Sequence, residues 1–158
     1  AIEVYSHISP PLAGFLWGMT PAIEAHVGKR LVPSYAYFRI YQRGDVCKVH
    51  SDRHACEHSL SLMLAASDGA AWDLSVGKTR RAEPSGDVST DFNGETYGTV
   101  PMVPGDGVIY QGVHHRHGRL EPNPNAWSAH AFLHWVDPAG PYAEQAFDRP
   151  TLSKAQHR

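Results

Sequence analysis

From Leu31 onward the hydrophobic period of this chain is two, and that restricts the fold more than any other feature. In Ser34 to Tyr41, Ala36, Phe38 and Ile40 fall on one side, and Tyr35, Tyr37, Arg39 and Tyr41 on the other. Strand side chains alternate between faces, so this pattern reads as a strand with two different surroundings. After the turn Arg43-Gly44-Asp45, Val46 to Asp52 reads as a second strand. His58 to Leu64 and Trp72 to Val76 follow. Strands resume at Tyr97 to Val103, Val108 to Gln111 and Trp127 to Val136. Pro104-Gly-Asp-Gly107 and Glu121-Pro-Asn-Pro-Asn125 mark the turns between them. Lys78 to Gly94 is polar and rich in turn residues, and is expected to be a mobile loop. About eight short strands point to a mainly β (α+β) chain, a β-sandwich or jelly roll.

The segment before this core, 9–29, reads as helical. Ser9-Pro-Pro-Leu12 starts one short helix running through Phe15 and Met19. Thr20-Pro21 starts another, with Thr as cap and Pro at the first helical position. Gly28 marks its end. After a jelly-roll core at 31–137, the tail at 138–158 is Pro/Gly-rich and then polar, with an end expected to fray. There is no repeat and no linker between two cores, so the reading is one domain, 1–158.

Composition excludes several function classes. The formal net charge is −2 and no block of Lys or Arg stands out, which argues against phosphate-driven nucleic-acid binding. The best apolar run, Leu60 to Ala66, is strand-sized, so no membrane span is expected. Ala1 to Tyr5 has no signal-peptide pattern, and the missing initiator Met fits a trimmed or partial chain. Cys47 and Cys56 make no disulfide framework, which points to a reduced, cytoplasmic protein. Oligomeric state is not legible. Histidine is the unusual entry: there are 11, concentrated in two stretches.

Those stretches hold the candidate chemistry. His50 and Asp52, two residues apart on an extended segment, project to the same side. A third ligand is available in His114-His115-Arg116-His117. Two imidazoles and one carboxylate on one face of a metal leave the other face open, as in non-haem Fe(II) oxygenases. The bland reading of the downstream cluster is a solvated loop. Taken alone, His130 and His134 read as hydrogen-bonded histidines of the last strand. A rival set, Cys47, His50, His54, Cys56 and His58, has residue types suited to structural zinc, but its spacing is ragged.

Two blocks of sequence resemble the Fe(II)/2-oxoglutarate-dependent oxygenases, in the prolyl-hydroxylase-like branch. One runs from Arg39-Ile-Tyr41 through Gly44, His50, Asp52 and Arg53 to Cys56, Glu57, Ser59 and Leu62. The other comprises Gly105-Asp106, Ile109-Tyr110, Gly112, His117, Arg119 and Phe132-Leu-His-Trp135. Together they span about residues 34 to 136. The resemblance implies a double-stranded β-helix (jelly roll) with N-terminal helices packed on one side. It implies Fe(II) held by His50, Asp52 and His117, with 2-oxoglutarate and O2 as co-substrates and succinate and CO2 as products. The reaction implied is C–H hydroxylation of a peptide, amino acid or small metabolite.

This chain departs from the family pattern twice. The cation expected about ten residues after the distal His is absent, where Ala126-Trp127 stand instead. Arg119 is the first substitute, sharing strand parity with His117, and its guanidinium suits a carboxylate. Arg39 is the second. The Tyr expected three residues before the first His is Cys47 here, so Tyr41, Tyr37 or Ser128 must supply a hydroxyl. His115 is the reserve ligand by parity, ahead of His114. Two other classes stay open: a cupin-type metalloenzyme without 2-oxoglutarate, and a jelly-roll binding module with a structural metal.

Overall fold

The computed structural model of the chain describes residues 2–151. It is mainly β. Strands β1 (Ile2–Tyr5), β2 (Val32–Gln42), β3 (Cys47–His50), β4 (His58–Ala66), β5 (Leu74–Gly77), β6 (Tyr97–Val100), β7 (Gly107–Tyr110), β8 (His117–Arg119) and β9 (Trp127–Val136) form two sheets. The larger has the order β1-β2-β9-β4-β7 and the smaller β3-β8-β5-β6, with every pairing antiparallel. Successive strands from β2 to β9 thus alternate between sheets almost throughout, which is the jelly-roll arrangement.

The period-two reading of β2 holds in three dimensions. Ala36 lies in a core cluster with Leu60, Ala131, Leu133 and Trp135 of the same sheet, and with Leu16 and Ile23 of the helix. The opposite face carries Tyr37, Arg39 and Tyr41 into a cavity shared with the smaller sheet. β9 continues both faces, since Ala36 pairs with Leu133, Tyr37 with Phe132 and Arg39 with His130. β2 and β9 thus each have a dry helix-facing side and a side that faces the cavity.

The helical start differs from expectation. One helix, α1 (Pro10–Val27), replaces the two predicted, and Pro21 sits inside it. Proline removes one donor from the helical ladder. The Thr20 hydroxyl is not a cap: it donates to Leu16 O (3.1 Å) and accepts from Trp135 Nε1 (3.0 Å). Packing of Leu16 and Ile23 on the sheet outweighs the proline penalty. Gly28 ends the helix as predicted, in the left-handed region at φ 78° with its N–H on Glu24 O. β1 was not foreseen. It pairs with β2 from Ile2 opposite Ile40 to Tyr5 opposite Tyr37.

The loop at 78–94 carries no strand, but it is tethered rather than loose. Val49 and Ser89 exchange backbone hydrogen bonds (2.8 and 3.0 Å), and Phe92 is buried. Buried Arg116 donates to Ser89 Oγ (2.5 Å) and also pairs with Glu95, which Arg81 contacts from the other side. The tail is likewise docked over its described part. Asp148 forms a two-pronged ion pair with Arg53 (2.7 and 3.0 Å), and Phe147 stacks on Trp17. The fraying expected at the end of the tail falls partly on residues outside the described ones. No helix among the described residues is long and apolar enough to cross a membrane.

Leu133 is fully buried between α1 and the sheet. Leu133→Ala is expected to cost about 2–5 kcal/mol in urea unfolding, the range for a large-to-small change at a closed site.

Candidate metal centre

His50 and His117 are directly opposite each other in the β3–β8 pair. Between His117 and Arg119, where the pairing shifts register, only glycine fits against the β3 backbone. A Cβ there would lie 2.8 Å from Cys47 O and 2.9 Å from Val49 N. Asp52 sits just beyond β3, its backbone N–H held by Gly112 O (2.9 Å). Ligand atoms of His50, Asp52 and His117 all lie within 4.8 Å of one another. The structure therefore brings together the three residues predicted from the sequence.

The orientation of the rings follows from the backbone. His50 Nδ1 donates to Lys48 O (2.7 Å) and His117 Nδ1 donates to His115 O (3.0 Å). A carbonyl only accepts, so both Nδ1 atoms carry hydrogen and both Nε2 atoms face the carboxylate. His50 Nε2 is 3.3 Å from Asp52 Oδ1, and His117 Nε2 is 3.4 Å from Oδ2. Two nitrogen lone pairs and a carboxylate converge on one point, so a cation must lie between them, either protons or a metal. Carbonyl-anchored imidazoles with free Nε2 are the usual support of a metal site. The donor set thus fits a divalent ion such as Fe(II).

The electrostatics agree. Burial by itself would raise the Asp52 pKa, but the charge and hydrogen bonds of His117 and His50 outweigh it and hold the carboxyl well below the usual range. Burial opposes the charged form of His50, yet Asp52 raises its pKa. Asp52 also dictates its neighbour at 112. A Cβ at that position would stand 2.2 Å from Asp52 Oδ2.

A narrow cavity of about 50 Å³ adjoins the triad, lined by Tyr37, Arg39, Tyr41, Cys47, Leu74, Tyr110, Arg119, Phe132 and His134. Arg119 is buried in its wall. It donates to Trp72 O, to Met102 Sδ (3.5 Å) and to His130 Nδ1 (3.4 Å), and it lies over the Trp72 ring. No carboxylate pairs with it among the described residues. Burial lowers its pKa. Arg39 differs: its Nε is paired with Glu3 on β1 (3.1 Å) and its Nη1 donates to Tyr41 Oη (3.2 Å). Tyr41 and Tyr37 line the cavity.

Ser128 does not line it. Its hydroxyl receives Asn123 Nδ2 (3.1 Å) and His130 Nε2 (3.0 Å). Because Arg119 donates to Nδ1 of His130, the proton of that ring is on Nε2. Ser128 therefore fixes His130, and His130 steadies Arg119. Burial and the Arg119 charge hold His130 neutral, with a pKa of about 3.

The other histidines are placed elsewhere. His115 lies before β8 rather than on it, donates to Gly77 O (2.8 Å) and borders an outer cleft of about 510 Å³ between β6 and β7. His114 is buried on Arg81 O (2.8 Å). The stretch is thus not a solvated loop, since His114, Arg116 and His117 are all buried. The zinc-like set does not converge: His54 pairs with Glu83, and both cysteines are free. Cys56, however, joins Asp52 and His134 in a second convergent group. The sequence reads His134 as a hydrogen-bonded histidine of the last strand, and Ser59 bears that out, but spacing carries no sign of its proximity to Asp52.

No protein-family model and no curated protein matches this sequence. Solved structures do match in fold. A structure described as the non-heme alpha ketoglutarate dependent carbocyclase SnoK from nogalamycin biosynthesis superposes with TM-score 0.66 at 12% identity, covering 96% of this chain and 69% of that one. AviO1 from Streptomyces viridochromogenes Tue57 gives 0.56 at 19% identity, over 78% of this chain and 58% of its own. EctD from S. alaskensis, with 2-oxoglutarate and 5-hydroxyectoine, gives 0.56 at 13% identity, over 85% and 56%. At these identities the likeness establishes the jelly-roll fold. The chain spans 58% of AviO1 and 56% of EctD, little more than half of each.

Gly112→Ala is expected to fold with near-native thermal stability yet lose metal affinity by at least about tenfold, the scale of a displaced support at a metal site. Titration of the apoprotein with Co(II) under nitrogen, followed by visible absorbance, checks this.

Proposed function

We propose that this chain is a single oxygenase domain that uses Fe(II), 2-oxoglutarate and O2 to oxidise a C–H bond of a small molecule. The observation that carries the reading is the convergence of His50, Asp52 and His117 with both imidazoles locked by backbone carbonyls. Three protein ligands from one side leave coordination positions for co-substrate and oxygen. When bound, the iron supplies oxygen activation coupled to decarboxylation of 2-oxoglutarate to succinate and CO2. The protein's own residues hold the metal, anchor the co-substrate and exclude water.

Arg119 is the proposed anchor for the distal carboxylate of 2-oxoglutarate. A buried guanidinium without a carboxylate partner is costly, and an incoming dianion supplies that partner. Arg39 is the lesser candidate because Glu3 already neutralises it. Tyr41 and Tyr37 offer hydroxyls to the bound co-substrate, and Ser128 acts indirectly through His130 and Arg119. Fold likeness to a 2-oxoglutarate-dependent carbocyclase and to EctD bound to 2-oxoglutarate supports the class. Both are proteins of small-molecule chemistry by their descriptions, which favours a metabolite over a peptide. The prolyl-hydroxylase-like branch rests on the two motif blocks, and hydroxylation is the outcome it suggests. Two free cysteines fit a reducing, cytoplasmic setting.

His50→Ala, Asp52→Ala and His117→Ala are each expected to abolish Fe(II)-dependent succinate formation while the fold survives. A folded variant with near-wild-type turnover removes that residue from the triad.

Loss of one charge-assisted contact is worth about 2–3 kcal/mol, so Arg119→Ala is expected to weaken 2-oxoglutarate binding by roughly thirty- to a hundredfold. Iron affinity stays close to wild type. The metal-to-ligand absorbance band of the anaerobic Fe(II) complex is the readout. An effect of Arg39→Ala alone moves the anchor to Arg39. No effect of either points to a metalloenzyme that does without 2-oxoglutarate.

A further inference from the structure

The candidate triad leaves one acceptor without a partner once a metal is in place. Asp52 faces His50 Nε2 with one oxygen and His117 Nε2 with the other. A metal held by both Nε2 lone pairs and one carboxylate oxygen would leave the second oxygen without its imidazole neighbour. Oδ2, the oxygen that faces His117, also borders Gly112, where a Cβ would stand 2.2 Å from it, so no side chain at that position supplies a donor. A buried, charged oxygen with no donor is costly.

His134 holds the complementary orphan. It is buried on β9, lines the cavity, and its Nε2 has no hydrogen-bond partner among the described residues. A ring nitrogen of His134 lies within 4.8 Å of an Asp52 oxygen and of Cys56 Sγ. Its Nδ1 is taken by Ser59 Oγ (2.9 Å), which leaves Nε2 for the site. The tautomer follows from charge. A lone pair on Nε2 would face a carboxylate, whereas an N–H there is attracted to it. The Ser59 hydroxyl then donates to Nδ1, and its weaker option, Cys56 O at 3.3 Å, is given up. Tyr35 packs against the ring at a tilt (4.7 Å between centroids) and Tyr37 stacks on it at 6.0 Å, so the imidazole is held among aromatic rings.

We propose that His134 is a positioning residue of the metal centre: its Nε2–H donates to the carboxylate oxygen of Asp52 that does not bind metal, and Ser59 sets the tautomer that makes this possible. The inference rests on His50, Asp52 and His117 being the metal ligands. It does not require that the enzyme use 2-oxoglutarate.

The test measures Fe(II) and Co(II) affinity of the full chain under nitrogen, with thermal melting of the metal-free protein alongside. His134→Phe keeps ring volume and removes the donor. It is expected to lose about 10- to 100-fold in metal affinity, the range for a support partner of a ligand. His134→Gln restores a donor on a flexible stem and is expected to recover most of that loss. Ser59→Ala frees the tautomer and is expected to weaken metal binding several-fold at an unchanged melting temperature. Ser51→Ala is the control, because Ser51 adjoins Asp52 in the chain and its buried hydroxyl has no hydrogen-bond partner among the described residues. Wild-type affinity in both His134→Phe and Ser59→Ala overturns the proposal. So does a loss confined to Ser51→Ala. If His134→Phe does not fold, unchanged affinity in Ser59→Ala overturns it. A Cys56→Ser variant that loses metal would instead make Cys56 a ligand and overturn the hydrogen-bonding role. Failure of the co-substrate reading is seen separately, as wild-type protein that binds Co(II) but develops no 2-oxoglutarate absorbance band.

Discussion

Three electron-rich side chains meet at one point in this fold, and the β3–β8 pairing is what makes the meeting possible. His50 stands opposite His117 because the two strands are in register there. The register tolerates a close approach because Gly118 has no side chain to collide with β3. Asp52 enters from just past the end of β3, tied by its backbone to Gly112. Like-charged or lone-pair groups do not gather in a protein interior without a counterion. The rest of the architecture can be seen as holding that arrangement in place. Backbone carbonyls fix the rings, the tail clamps Arg53 immediately after Asp52, and the loop at 78–94 is pinned against β3 at Val49 and Ser89.

The larger sheet divides labour between its faces. One buries Ala36, Leu133 and Trp135 under α1 and forms the largest of the apolar clusters among the described residues. The other carries aromatic and polar side chains into the cavity between the sheets. This is the physical meaning of the tyrosine-rich parity of β2. Aromatic rings on that face pack against each other and still present hydroxyls and ring edges to the site. The same face of β9 brings Ser128, His130, Phe132 and His134 in succession. Two of these histidines are neutral by burial, His130 with a pKa of about 3 and His134 of about 4. Neutral imidazoles relay hydrogen bonds without adding charge, to Arg119 in one case and toward Asp52 in the other.

Cations are distributed by what already neutralises them. Arg53 is spent on Asp148, Arg116 on Glu95 and the carbonyl and hydroxyl groups of the loop, and Arg39 on Glu3. Of the two arginines lining the cavity, Arg119 has no carboxylate partner among the described residues, whereas Arg39 has Glu3. That asymmetry separates the two anchor candidates, which strand parity alone could not rank firmly. Glu3 belongs to β1, an element that no sequence signal announced.

What the sequence by itself determined is local. The alternation in β2, the turns around Gly44 and Gly105, the helix stop at Gly28 and the full extent of β9 all follow from side-chain size and backbone preference within a few residues. The same-side placement of His50 and Asp52 is also local, being a property of extended backbone. Tertiary structure decided the rest. The choice of His117 over His115 depended on where β8 begins, which is set by pairing with β3 and β5. The continuity of α1 through Pro21 depended on burial against Trp135 and Leu133, which overrides a local breaker. Ser128 and Tyr41 share a parity but not a surrounding: one is buried in a hydrogen-bond relay and the other faces the cavity. His134 beside Asp52 is a contact across more than eighty residues of chain. Such contacts are fixed by packing of distant strands, for which neighbouring residues carry no signal.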